Sequence, residues 1–154
     1  VRYSGRHFQA LSCPAIGPTR AMLQDDEGRY WFATLRGLCR YTPEASPPRV
    51  QVLRMVADRT YRPRQHPEVP ASCRRVSFEF TGTGRHSKAG EMLYTCRLDG
   101  LQDDWQPPSA ALQAHYEDLP PGEYVFHVCA IDRDLNRSSP AAVPPWRLSP
   151  SSTI

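Results

Sequence analysis

Lysine is almost missing from this sequence. One Lys (Lys88) stands against eighteen Arg, and sixteen acidic residues interleave with them to leave a formal net charge of only +3. So thin and scattered an excess is not the basic footprint of a nucleic-acid-binding domain. Long apolar runs are missing too, and nothing approaches the roughly 20 residues a spanning helix requires. No signal-peptide pattern follows Val1. The five cysteines (Cys13, Cys39, Cys73, Cys96, Cys129) contain no Cys-x-x-Cys pair, and their odd number leaves at least one unpaired within the chain. No helical stripe of useful length occurs, which disfavours a parallel α/β fold. Thr81-Gly82-Thr83-Gly84 lacks the lysine and the following helix of a phosphate-binding loop.

What is present points to strands. Sixteen prolines among 154 residues suit short strands joined by many turns and exclude long helices, because proline lacks an amide donor and clashes with the preceding turn. Residues 21–24, 29–34 and 38–41 read as a small antiparallel meander, with turns at Asp25-Asp26-Glu27-Gly28 and Leu35-Arg36-Gly37. A proline-marked stretch, 43–48, reads as a linker between a unit at 1–42 and a domain at 49–150. In that domain the apolar residues recur every second position. Val76, Phe78 and Phe80 form one inward set, Tyr94, Cys96 and Leu98 a second, and Tyr124, Phe126, Val128 and Ala130 a third. Thr81–Gly84 reads as a strand break, 57–72 as ill-defined, and 143–148 as a closing strand whose prolines put it at an edge or bulge. Strands that alternate in this way bury one face each, and two such sheets make an all-β sandwich of immunoglobulin-like or fibronectin-like kind.

Two stretches carry a narrower resemblance. Leu119-Pro120-Pro121-Gly122-Glu123-Tyr124-Val125-Phe126-His127-Val128-Cys129-Ala130, with Tyr94-Thr95-Cys96-Arg97-Leu98-Asp99-Gly100 and Trp105, resembles the three-Y (Y_Y_Y) domain of two-component regulators. Tyr94, Tyr116 and Tyr124 match the three tyrosines, and Cys96 stands where many members have a second aromatic. Upstream, Leu23 to Tyr41, including Trp31 and Gly37, is similar to one repeat of the regulator β-propeller. The resemblance implies that 1–42 is the tail of a propeller whose other repeats lie outside this sequence. It also implies a periplasmic sensor region of a membrane-anchored histidine kinase or related receptor. Its partners would be the upstream blades, a downstream signalling domain and a second copy of itself, and the parent could take an oligosaccharide. The competing reading is a carbohydrate-binding sandwich module.

The signature residues Tyr94, Trp105, Tyr116, Gly122, Tyr124, Phe126, Trp31 and Gly37 are expected to be structural. Tyr124, after a Pro-Pro-Gly turn, suits a tyrosine corner whose hydroxyl reaches a backbone group. Trp105 is expected to cover one end of the core with its indole N–H on a loop carbonyl. As ligand or partner contacts the candidates are Trp105, Tyr61 and Arg62. The acids at 25–27 and the Asp132/Asp134/Asn136 spacing lack the full oxygen set of a calcium loop, and His115 and His127 fall on different sheets, which disfavours zinc. No cofactor and no metal are expected. Cys96 is expected inside, Cys73 and Cys129 outside on opposite sheets, with Cys129 open to oxidation; Cys13 and Cys39 could pair. Neither His127 with Cys129 nor the acids at 103, 104, 117 and 118 has the surrounding constellation that catalysis needs, so no enzymatic activity is expected.

Overall fold

The computed structural model describes residues 18–43, 45–85 and 87–150, together with the backbone of residues 2–3 and 8–9. The chain divides into two compact units, Val1–Ser46 and Pro47–Ile154.

In the first unit, β1 (Arg2–Tyr3) pairs antiparallel with β2 (Phe8–Gln9). Three longer strands, β3 (Thr19–Gln24), β4 (Tyr30–Thr34) and β5 (Gly37–Tyr41), form an antiparallel meander in that order. The first turn closes by a bond from the Gly28 amide to the Asp25 carbonyl (3.0 Å), and the second by Thr34, whose hydroxyl donates to Gly37 O at 3.0 Å. Phe32 is its one described residue in the buried apolar set, while Met22, Leu23, Leu35 and Leu38 stay exposed.

The second unit is a two-sheet sandwich. One sheet has the order β11 (Gln113–Glu117), β9 (Arg75–Thr83), β6 (Arg49–Val56), β7 (Thr60–Tyr61). The other runs β10 (Leu93–Asp99), β12 (Gly122–Ile131), β14 (Trp146–Leu148), β8 (Glu68–Val69), with β13 (Ala141–Ala142) also on β12. The closing strand begins at Trp146 rather than Val143: Pro144 and Pro145, which cannot donate to a ladder, separate β13 from β14, and β14 lies between β12 and β8 rather than at an edge. Within 57–72 the chain makes two short strands, and β8 pairs parallel with β14.

The period-two rhythm becomes the core. Along β9, Val76, Phe78, Phe80 and Gly82 are buried and their neighbours are not. From the facing sheet come Tyr94, Leu98, Tyr124, Phe126, Val128 and Ala130. Phe78 and Phe126 stack across the two sheets with centroids 4.1 Å apart and planes 2° from parallel. Trp146, which the sequence pattern did not mark, is 1% exposed and lies 5.0 Å from Tyr124 and 6.0 Å from Phe78 between ring centroids.

One expectation fails at Thr81–Gly84. The strand does not break there but runs to Thr83, paired with β6 through Arg49↔Thr83. Gly82 is used for clearance rather than for a turn: a Cβ on it would lie 2.7 Å from Met92 Sδ and 2.9 Å from the Tyr94 hydroxyl.

Gly100 is under a stricter constraint. Its φ is +101°, and a Cβ would lie 2.5 Å from Glu123 O and 3.0 Å from the Tyr124 ring. Both the backbone conformation and the space therefore demand glycine. Gly100→Ala is expected to destabilise the sandwich by about 3 kcal/mol, combining backbone strain with overpacking. Urea unfolding followed by near-UV circular dichroism measures this, and a loss below about 1 kcal/mol would contradict it.

Candidate functional site

The three signature tyrosines are placed differently, and none forms an open platform. Tyr94 is 2% exposed; its hydroxyl donates to Ala89 O (2.7 Å) and accepts from the Gly82 amide (3.1 Å). It thereby ties β9 to the 3-10 turn Ala89–Glu91 that leads into β10. Tyr124 is also buried and donates its hydroxyl to Pro120 O four residues back, the tyrosine-corner arrangement. Tyr116 is half-buried, with its ring edge-on to Phe78 and Phe126, and burial holds its phenol neutral well above the usual range. Gly122 begins β12, and Phe126 on the same strand is fully buried.

Trp105 lies elsewhere than at an end of the core. It sits against the outward face of the β10–β12 sheet, 6.4 Å from His127 between ring centroids. The guanidinium carbons of Arg97 and Arg137 lie 4.9 and 4.8 Å from its own centroid. Each such contact contributes about 0.5–1 kcal/mol where partly exposed. Below the indole, Asp99 bridges its neighbours: Oδ2 meets His127 Nε2 at 2.8 Å and Oδ1 meets Arg97 Nε at 2.8 Å. Asp99 is held below its ordinary pKa, because the His127 and Arg97 contacts outweigh an opposing desolvation. The next residue adds a tie, since Thr95 Oγ1 donates to Gln106 O at 2.6 Å.

This cover explains a further correction. Cys129 faces away from the core, as alternation requires, yet it is 1% exposed, as is its cross-strand partner Thr95 at 3%. The segment carrying Trp105 and Gln106 lies over that face, so Cys129 is not open to oxidation. Alternation states which side of a sheet a residue is on; it does not state what a loop lays over that side. Cys96, directed toward the core side, is half-buried, and burial pushes its thiol up to about 12. Cys39, Cys73, Cys96 and Cys129 are free thiols, and Cys13 lies outside the described residues.

Tyr61 does not stand at the surface as a contact residue would. It is 6% exposed in the sandwich core, its hydroxyl donates to Asp58 Oδ1 at 2.8 Å, and Arg59 stacks over it at 5.3 Å. Arg62 remains exposed.

In the first unit the acidic turn is fastened through Asp25. The Asp25 carboxylate collects the amides of Glu27 and Arg29 (3.0 Å each) on Oδ1, and Arg29 Nε (2.7 Å) and Trp31 Nε1 (2.8 Å) on Oδ2. Arg29 and Arg40 lie 6.0 and 5.8 Å from the Trp31 ring centroid. Gly37 closes the second turn at φ +127°. Trp31 faces the same side as Leu23, Ala33 and Leu38, and that side is largely bare.

In the 132–136 loop both oxygens of Asp132 are used internally. Asp132 Oδ1 accepts the amides of Asp134 and Asn136 at 2.9 Å each, and Oδ2 accepts Asn136 Nδ2 at 3.1 Å. Among the described residues no three His, Cys, Asp or Glu side chains stand close enough to share a metal ion. His115 bonds Ser77 on one sheet at 2.8 Å, while His127 lies on the other. The sequence did not mark Arg137, and it offered Arg97, Asp99 and His127 only as motif residues or as a lone histidine, not as one cluster around Trp105. The only signal of the cluster was a basic and an acidic residue flanking Leu98 before the Gly100 turn.

Two outcomes test this geometry. The hydrogen bonds to Asp25, with that from Trp31 first, hold its carboxyl well below the ordinary 3.8, so the interaction is present above that value and is lost only as pH falls through the lower folded value. The indole N–H resonance of Trp31 should therefore stay fixed through pH 3.8 and shift only in stronger acid, whereas Asp25→Asn should shift it at neutral pH. A midpoint at the ordinary carboxylate value would refute the assignment. Secondly, Tyr94→Phe should cost about 2 kcal/mol and Tyr124→Phe about 1, because the first strands two backbone groups and the second one. Equal losses in urea unfolding would contradict it.

Residues 86–143 match the family model of the Y_Y_Y domain. No curated protein matches the chain. Among solved structures, the extracellular domain of BT3049 from B. thetaiotaomicron, named as a hybrid two-component system, is similar at a TM-score of 0.59 and 18% identity, over 84% of this chain and 20% of that one. Two structures of the extracellular domain of BT4673 from the same organism, named once as a one-component and once as a hybrid two-component system, give TM-scores of 0.47 at 19% and 18% identity. They cover 86% and 87% of this chain and 20% of each of those chains. The chain thus spans about a fifth of the length of these solved domains. At this identity the likeness to the BT3049 domain establishes fold alone.

Proposed function

We propose, from the match of residues 86–143 to the Y_Y_Y family model, that this chain is part of the extracytoplasmic sensor region of a hybrid two-component or related receptor. In this reading the sandwich is a non-catalytic coupling element. It passes the state of a ligand-receiving propeller to a membrane-proximal output, with a second copy of the chain as its partner. The observation that carries the proposal is the family match, together with the similarity of fold to an extracellular domain named as that of a hybrid two-component system.

The physical basis is stiffness. A core whose aromatic rings touch from both sheets, as Phe78 and Phe126 do, is close-packed and transmits displacement where a loop would absorb it. The first unit fits the last blade of a propeller. Its three-stranded meander leaves Leu23 and Leu38 66% and 67% exposed, as a blade with no neighbour would. The carbohydrate-module alternative has less support: Tyr94 and Tyr124 are buried, and two guanidiniums lie against Trp105, so none of these three rings presents an open platform.

The full-length receptor provides the test. Gly100→Ala, which loosens the sandwich without touching the blades, is expected to leave ligand affinity within about twofold and to abolish ligand-dependent output. Ligand-dependent output that survives deletion of residues 49–150 would refute the coupling role. For the dimer, light scattering over about a hundredfold range of concentration should show mass rising toward twice that of the monomer; a constant monomer mass would remove that part.

A further inference from the structure

We propose that the sandwich holds a small-molecule site of its own, a pocket of about 360 Å³ between β10, β11 and the segment joining them, that takes a neutral, flat, single-ring compound. This goes beyond the coupling role and does not depend on it. The pocket arises from topology. β10 and β11 are the outermost strands of their respective sheets and do not pair with each other, so the sandwich is open along this side. The 100–112 segment spans the opening: Tyr94 exchanges backbone bonds with Ser109 (2.8 and 2.9 Å), and the Gln106 amide donates to Cys96 O at 2.8 Å. That segment closes the β10 edge and forms one wall.

The chemistry of the lining selects the occupant. The inner part is Phe80, Cys96, Ala114 and Tyr116, an apolar surface with a thiol and a phenol ring. The rim is Gln102, Gln106, Ser109, Gln113 and His115, which offers amides, a hydroxyl and an imidazole. No carboxylate, ammonium or guanidinium lines the pocket, so a charged ligand would be desolvated without a partner. An apolar floor with a few polar groups at the mouth is the usual make-up of a small-ligand site, and the volume falls in its range of about 300–1,000 Å³. The wedge between two sheet edges favours a flat shape. His115 is already engaged with Ser77 Oγ at 2.8 Å, and Gln102 with Gln106, which leaves Gln113 as the rim amide available to orient a ligand.

Cys96 makes the room. It lines the floor beside Phe80 and Tyr116, and its small side chain leaves space that a bulkier one would occupy. Cys96→Tyr is therefore the decisive variant, since it puts a ring into the floor of the pocket. Gln113→Glu is the second, an exposed rim change that adds charge without touching the core.

The experiment is a titration of the whole chain, labelled with nitrogen-15, with phenol and uracil as neutral rings and benzoate as the charged control. Phenol or uracil should shift the amide resonances of Cys96, Gln113 and Tyr116 saturably, with Kd of about 1 mM or tighter, as expected for a ligand of so few atoms. Benzoate should bind at least about tenfold more weakly. Cys96→Tyr should abolish the shifts while its circular dichroism stays that of the parent, and Gln113→Glu should weaken binding at least about threefold. If Cys96→Tyr does not fold, the Gln113→Glu result decides. Absence of saturable shifts at these residues, benzoate binding as tightly as phenol, or binding indifferent to both substitutions overturns the proposal.

Discussion

Everything in the larger unit depends on two phenylalanine rings being able to lie flat against each other from opposite sheets. Phe78 and Phe126 are both fully buried and stack at 4.1 Å. Sheets about 10 Å apart can hold such a stack only if each strand presents its ring at the right pleat position, because a one-residue slip would turn every ring to the solvent. The registers supply this: Leu98 lies opposite Phe126, and Met55 and Ala114 flank Phe78 on its two sides. Around the central stack, Phe80, Tyr94, Tyr116, Tyr124 and Trp146 extend one aromatic layer.

So many rings in one layer require clearances, and glycines provide them. Gly82 admits the Tyr94 hydroxyl and the Met92 sulfur, and Gly100 admits the Tyr124 ring and the Glu123 carbonyl. The two buried hydroxyls then bond backbone carbonyls at the strand ends, so each tyrosine both packs and fastens a loop. In this chain the two tyrosines and the two glycines therefore work as pairs: each of these rings needs its gap. The outer surface is organised separately. There Trp105, Arg97, Arg137, His127 and Asp99 hold the segment after β10 onto the sheet and cover Cys129 and Thr95. That segment also blocks an edge strand that would otherwise invite pairing with another chain. If the sandwich relays orientation in a receptor, its outer face and its core are coupled through this one segment.

The all-β class, the positions of most longer strands and the inward sets of β9, β10 and β12 were legible in the sequence, because a side chain's face in a strand follows from its parity alone. The tyrosine corner was legible too, since the Pro-Pro-Gly turn fixes where Tyr124 enters the sheet. The burial of Cys129, the position of Trp105, the core place of Tyr61 and Trp146, and the continuation of β9 through Gly82 were not. Each depends on what another segment brings to it: a loop over the outer face, two arginines from distant positions, a ring that needs a missing Cβ. Parity assigns a side of one strand, whereas burial and contact are properties of pairs of segments far apart in the chain. Only tertiary structure brings β10 and β11 side by side without joining them, which is why the opening beside Cys96 has no trace in the sequence.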